Sequence, residues 1–202
     1  MEEALDNINT DIPTEPVETQ RTKITFGRFM LETIQTILLA VVLYFLIDTV
    51  IARVRVENIS MEPTLQPGEF ILVNKMSYRL GELQRGDIIV FHYPQNPVED
   101  YIKRVIGLPG DTVSVHGNQV FVNDTQLDEP YISAEPKYDG VWVVPAGNLF
   151  VLGDNRNQSS DSHSWGFVPL GNVVGKALVV YWPIPEVKVL NHPLVVKAAK
   201  LN

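Results

Sequence analysis

The fold is decided by TIQTILLAVVLYFLIDTVIA (Thr33–Ala52), which runs without a break into RVRVENISMEPTLQPGEFILVNK (Arg53–Lys75). The first stretch is apolar on every side of a helix, with Gln35, Asp48 and some threonines as its polar members. About twenty such residues are enough to cross a bilayer. Asp48 sits near the end, within reach of the interface, and Tyr44 suits a membrane region. A buried helix of a soluble domain would show a polar face, and none is present. A cleaved secretion signal would have a shorter apolar core and a small-x-small exit, which is missing.

Before this span come Arg21, Lys23 and Arg28, and before those an acidic tail. Of the chain's 24 acidic residues, Glu2, Glu3, Asp6, Asp11, Glu15 and Glu18 lie within residues 1–20, where there is no Lys or Arg. The formal net charge of −8 therefore belongs mostly to this tail, and the rest is near balance. A chain so balanced lacks the basic face of a nucleic-acid binder, and no nucleic-acid partner is expected. The tail's composition predicts disorder. Three basic residues before the span and Arg53 and Arg55 after it favour a cytoplasmic N-terminus, with the bulk of the chain on the trans side.

After Ala52 the texture changes. Phe70–Lys75, Asp87–Tyr93, Asp100–Gly107, Thr112–His116, Gln119–Asn123, Val141–Pro145, Leu149–Asp154 and Ala177–Pro183 are short and rich in β-branched and aromatic residues, with Gly, Pro, Asn and Asp between them. This predicts an antiparallel, mostly β domain. Gly117-Asn118, between Val113/Val115 and Val120/Val122, reads as a hairpin turn. The domain organisation expected is a disordered acidic tail over 1–28, a transmembrane helix over 29–52, and a β-rich domain over 53–183 with an inserted hairpin region at about 112–147. A C-terminal tail over 184–202 is given no task.

The chain has no cysteine, which excludes disulfides, thiolate metal sites and cysteine nucleophiles. The histidines (His92, His116, His163, His192) form no metal-ligand pair, and no glycine-rich loop opens a helix. No metal or organic cofactor is expected.

Three segments concentrate polar groups beside turns: Asn58–Leu65, Tyr101–Asp111 and Gly153–Gly166. In the second, Lys103 and Val105 share one face of a strand and Ile102, Arg104 and Ile106 the other. A lysine on such a face either snorkels to water or loses its proton when desolvated. A neutral amine can take the proton of a serine hydroxyl.

SMEPTL (Ser60–Leu65), GDIIVF (Gly86–Phe91), KRVIGLPGD (Lys103–Asp111) and GDNRNQSSDSHSWG (Gly153–Gly166), in this order after one N-terminal anchor, resemble the type I signal peptidases, also called leader peptidases. The resemblance covers Asn58 to Pro183 and the anchor. It implies a mostly β endopeptidase with a Ser/Lys dyad: Ser60 as nucleophile, Lys103 as general base, and Ser159 as the hydroxyl that orients the lysine. It also implies a supporting Arg104–Asp154 pair, for which a solvated surface pair is the plain alternative. Met61 and Tyr101 are expected to line the substrate pocket or face the membrane. Preproteins carrying signal peptides and the lipid bilayer are the implied partners.

Two positions depart from the family pattern. Asn58 stands where many members carry a hydroxyl that binds the oxyanion; its amide is a suitable donor, and a plain turn role is equally open. His163 stands where arginine usually follows Asp161; the two can pair across an extended segment, more weakly once the histidine is neutral. Ser60, His163 and Asp161 also contain the residue types of a Ser-His-Asp triad, which would leave Lys103 without a task. Other readings are a processing peptidase of the same clan with few substrates, or a tethered β-domain that only binds peptides.

Overall fold

Threonines inside an apolar helix need partners for their hydroxyls, and the first element supplies them. In the computed structural model, which describes residues 26–190 and 195–196, helix α1 runs from Phe26 to Val50. Thr33 and Thr36 donate to the carbonyls of Phe29 and Glu32 at 2.8 Å, and Thr49 donates to that of Leu46 at 2.7 Å. These back-bonds satisfy each hydroxyl within the helix. The 25 residues span roughly 37 Å at about 1.5 Å per residue, enough for a bilayer core.

The helix ends two residues before the expected Ala52 and starts three residues earlier, at Phe26. Ile51 and Ala52 belong instead to strand β1 (Ile51–Arg55), which pairs antiparallel with β2 (Phe70–Asn74), Ile51 opposite Asn74 and Arg55 opposite Phe70. Hydropathy alone could not place this boundary, because Ile51 and Ala52 are as apolar as the helix before them. The acidic tail over residues 1–25 lies outside the described residues.

The remaining elements are α2 (Ser77–Leu80), β3 (Ile88–Tyr93), β4 (Asn96–Gly107), β5 (Thr112–His116), β6 (Gln119–Val122), β7 (Thr125–Asp128), β8 (Gly140–Val143), β9 (Asn148–Leu152), α3 (Ser162–Trp165), β10 (Val168–Pro169), β11 (Val173–Trp182), β12 (Lys188–Val189) and β13 (Val195–Val196). The larger sheet has the order β1-β2-β11-β3-β4-β9-β10, with β12 on β11; the smaller is β13-β7-β6-β5-β8. All pairings are antiparallel. The smaller sheet gathers β5 to β8 and takes β13 at its β7 edge.

Turn chemistry builds the smaller sheet. Gly117 (φ 56°) and Asn118 (φ 63°) both take positive φ, the primed turn that matches strand twist. Asn123 (φ 50°) and Asp124 (φ 62°) repeat the device between β6 and β7. The sequence reading missed β7, whose Thr-Gln-Leu-Asp composition offers a single apolar residue, Leu127.

Strand β4 divides the cores. Val105 packs with Ile89, Phe91 and Val151, while its neighbour Ile106 packs with Val113, Val122 and Phe150 below the smaller sheet. A third cluster joins Met61 and Leu65 to Ile71, Val73, Val90 and Val180. Leu190, from the segment left without a task, is 4% exposed in that same cluster, and its N–H donates to Leu178 at 2.8 Å. The C-terminal segment is thus part of the core through Leu190. Residues 191–194 and 197–202 lie outside the described set. Leu190→Ala should lower unfolding free energy by about 2–4 kcal/mol, in the range of large-to-small core changes; denaturant unfolding of the full chain in detergent measures it, and no loss would show that this segment is not core.

Candidate active site

A loop that leaves one strand and returns to the next must be tied at its base. After β1, the Val56 N–H donates to the Glu69 carbonyl and the Gly68 N–H to that of Val56, both at 2.8 Å. Inside the loop, Ile59–Met61 forms one 3₁₀ turn. Consecutive residues on such a turn diverge by about 120°. Met61 and Leu65, 1% and 0% exposed, point into the core, and Ser60 is left half-buried on the other side. Met61 is therefore not a pocket or membrane-facing residue as expected; it is the anchor that turns Ser60 outward.

Strand β4 brings the second group. Lys103 is 4% exposed, and its Nζ lies 2.8 Å from Ser60 Oγ and 3.0 Å from the Ile102 carbonyl oxygen. Burial pushes the amine down from 10.5 to about 8, although the negative charges of Asp161 and Asp154 act in the opposite sense. Tyr101 packs beside it, with the amine 5.2 Å from its ring centre, and stacks on Tyr93 at 4.4 Å.

The next residue, Arg104, faces the other way because strand side chains alternate. It forms a bidentate pair with Asp154: Nε to Oδ1 at 2.8 Å and Nη2 to Oδ2 at 2.7 Å. Both side chains are fully buried, so this is not a solvated surface pair. Arg104 Nη1 also donates to the Gly86 carbonyl at 3.0 Å.

The Gly153–Gly166 segment packs on the Ser60 loop. Gly153 allows this closeness: a Cβ there would collide with the Ser159 side chain and the Ser60 carbonyl. The Ser159 hydroxyl is buried without a hydrogen-bond partner. The expected Ser159–Lys103 bond is absent, because the amine is turned to Ser60 and the Ile102 carbonyl.

Asp161 caps α3, accepting the His163 N–H at 3.2 Å, and its Oδ1 lies 2.6 Å from His163 Nδ1. The two meet through this helical cap, not across an extended segment. The other oxygen, Oδ2, accepts the Gly153 N–H at 2.9 Å. The His163 ring lies 4.1 Å from that of Tyr138, nearly parallel.

Ser60 and Lys103 open onto a groove of about 620 Å³. One wall is the extended run Val54–Asn58, the other Val98 and Asp100–Lys103; Gln158 and Ser160 close one side. Asp161 and His163 do not line it, which removes support for a Ser60–His163–Asp161 triad. Asn58 lines the groove, is exposed, and makes no capping bond to the turn.

Several residues here escaped the sequence reading. Thr64 donates to Asp154 Oδ2 at 2.5 Å. Asn155 donates from its N–H to the Ser60 carbonyl at 3.1 Å and from Nδ2 to that of Ile59 at 3.2 Å. Arg156, 1% exposed, makes a bidentate pair with Glu129 at 2.8 and 2.6 Å. All lie in or beside the motifs already singled out, but their partners are far away in sequence.

A family profile described as signal peptidase, peptidase S26, matches residues 30–182. A signal peptidase I of Leptolyngbya laminosa is 47% identical over 81% of this chain and 85% of its own length. A probable signal peptidase I-2 of Synechocystis is 44% identical over 85% of this chain and 82% of its own. A signal peptidase I of Bacillus caldolyticus is 43% identical over 65% of this chain and 79% of its own. The match spans the Ser60 turn, the Lys103 strand and the Gly153–Gly166 segment, and the chain belongs to the signal peptidase family, peptidase S26.

Proposed function

We propose that this chain is a membrane-anchored serine endopeptidase that removes signal peptides from secreted preproteins through Ser60 and Lys103. The observation that carries this is the 2.8 Å approach of a buried amine to a serine hydroxyl at the wall of a groove. With its proton lost near pH 8, roughly one amine in ten is neutral at pH 7, ready to act as a base. A bound peptide that displaces water from the groove increases that fraction.

The preprotein lies extended between the two walls and is held by main-chain hydrogen bonds. Side chains at the first and third positions before the cut face the same wall, and small pockets there accept Ala-like residues. Lys103 takes the Ser60 proton as Oγ attacks the scissile carbonyl carbon. The Ser60 N–H and the Asn58 amide hold the oxyanion. Collapse breaks the C–N bond, and the leaving amine of the mature protein takes the proton from Lys103. The signal peptide remains as the acyl group on Ser60. Lys103 then deprotonates a water, which attacks the ester and frees the peptide and Ser60. Ser159 orients the amine as it moves between these partners. Arg104 and Asp154, and Asp161 with His163, hold the surrounding loops.

Helix α1 anchors the domain, with the N-terminus cytoplasmic and the catalytic domain on the trans side. Ile59 beside the nucleophile and Trp182, opposite Phe70 in the sheet, are 42% and 50% exposed and supply apolar contact with the lipid surface.

In a cleavage assay with the purified full-length chain and a preprotein carrying Ala at −1 and −3, Ser60→Ala and Lys103→Ala should each lower kcat/KM by about 10³-fold or more. Cleavage retained in Lys103→Ala would remove the dyad, and a peptide bound but never cut by the intact chain would favour a binding domain. The kcat/KM profile should rise tenfold per pH unit and level off near pH 8, where the free enzyme's amine titrates; a midpoint near about 6.5 would indicate a histidine base instead. Stability gives an independent check. Because the folded amine titrates near 8 and the unfolded one near 10.5, the penalty is full below pH 8 and fades as pH approaches 10.5. Lys103→Met should therefore stabilise the fold at pH 7 by about 3 kcal/mol, and by progressively less above pH 8, in denaturant unfolding series.

A further inference from the structure

Ser60 sits on a loop and Lys103 on a strand, 43 residues apart in the chain. A dyad needs its two atoms held within a few tenths of an ångström. Their own hydrogen bond cannot be what holds them, since it must break and reform during the reaction. Something outside the dyad has to fix one segment against the other.

One carboxylate touches both. Asp154 Oδ1 accepts Arg104 Nε at 2.8 Å, and its Oδ2 accepts both Arg104 Nη2 at 2.7 Å and the Thr64 hydroxyl at 2.5 Å. Arg104 adjoins Lys103 on β4. Thr64 lies at the far end of the nucleophile turn, where the Leu65 N–H donates to the Met61 carbonyl at 2.9 Å. At the near end, the neighbouring residue Asn155 holds the Ser60 and Ile59 carbonyls at 3.1 and 3.2 Å. Two adjacent residues thus clasp the turn at both ends, and one of them also grips the lysine strand.

We propose that Thr64 is a positioning residue for the Ser60–Lys103 pair, acting through the Asp154 carboxylate that it shares with Arg104; this rests on the dyad reading above. The hydroxyl suits the task because Asp154 is fully buried, with no water to replace a lost donor. Removing that donor leaves a buried oxygen short of a partner and frees one end of the turn. The Arg104–Asp154 pair remains, so the lysine strand keeps its support while the nucleophile turn loses its own.

The test uses the full-length chain in detergent and the same preprotein, at about 15 °C below each variant's Tm so that only folded molecules are compared. Thr64→Val keeps the side-chain shape and deletes the hydroxyl; kcat should fall by about 10–100-fold with KM within about twofold. Thr64→Ser restores the hydroxyl and should recover kcat to within about threefold of the parent chain. A purely structural threonine would lower Tm and leave kcat in place. An unchanged kcat in Thr64→Val, or a Thr64→Ser variant as slow as Thr64→Val, overturns the role of Thr64 while the dyad stands. A parent chain that does not cleave overturns the dyad reading and this one with it.

Discussion

The constraint on which the site depends is the cost of keeping an ammonium out of water. A cation at 4% exposure loses most of its hydration, and Lys103 responds by giving up its proton near pH 8. Two carboxylates, Asp154 and Asp161, act against that outcome. Each is already engaged. Asp154 takes two donors from Arg104 and one from Thr64, and Asp161 takes the Gly153 N–H and lies against His163. Burial is nevertheless the larger effect, and desolvation prevails. The same two carboxylates fix the loops around the lysine.

The fold delivers this through the alternation of one strand. Residues 103 to 106 of β4 point by turns to opposite sides. Lys103 reaches Ser60 on one side and Arg104 reaches Asp154 on the other. Val105 and Ile106 then enter different hydrophobic clusters. A one-residue slip of β4 would send the guanidinium to the serine and the amine to the carboxylate. The register is held by Ile89 opposite Lys103 and Ile88 opposite Arg104 on one neighbour, and by Leu152 opposite Arg104 on the other. The Ser60–Lys103 approach and the core packing therefore share one register.

What could be read in the sequence follows from how local each signal is. The β-branched runs and the Gly117-Asn118 hairpin are legible because composition marks them within a few residues, and the motifs that hold Ser60 and Lys103 mark two side chains that the fold brings to 2.8 Å. The Asn123-Asp124 turn was passed over because β7 beyond it is mostly polar. Met61 was misplaced because a methionine beside a nucleophile looks the same whether it faces lipid or core; only the 3₁₀ turn decides. Ser159 was expected on the lysine, whose amine is turned to other partners. Thr64, Asn155 and Arg156 stood inside quoted motifs, yet their partners lie 90, 96 and 27 residues away, a distance that no local pattern encodes.

The smaller sheet is tied to the loop that carries Asp154. Glu129, just after β7, pairs with Arg156, whose Nε donates to the Gly153 carbonyl at 3.1 Å. Tyr131 follows, its ring 3.9 Å from the Arg104 guanidinium and 5.9 Å from that of Arg156. Two buried arginines thus share one aromatic ring, and each has its own carboxylate. Buried pairs of this kind add little net stability, because desolvation offsets most of their attraction. What they do impose is geometry: a bidentate pair tolerates small errors in distance and angle far less well than an apolar contact does. The Gly153–Arg156 loop is gripped by the smaller sheet through Glu129 and by the larger through Arg104. It is therefore the fixed reference against which the Ser60 turn is set.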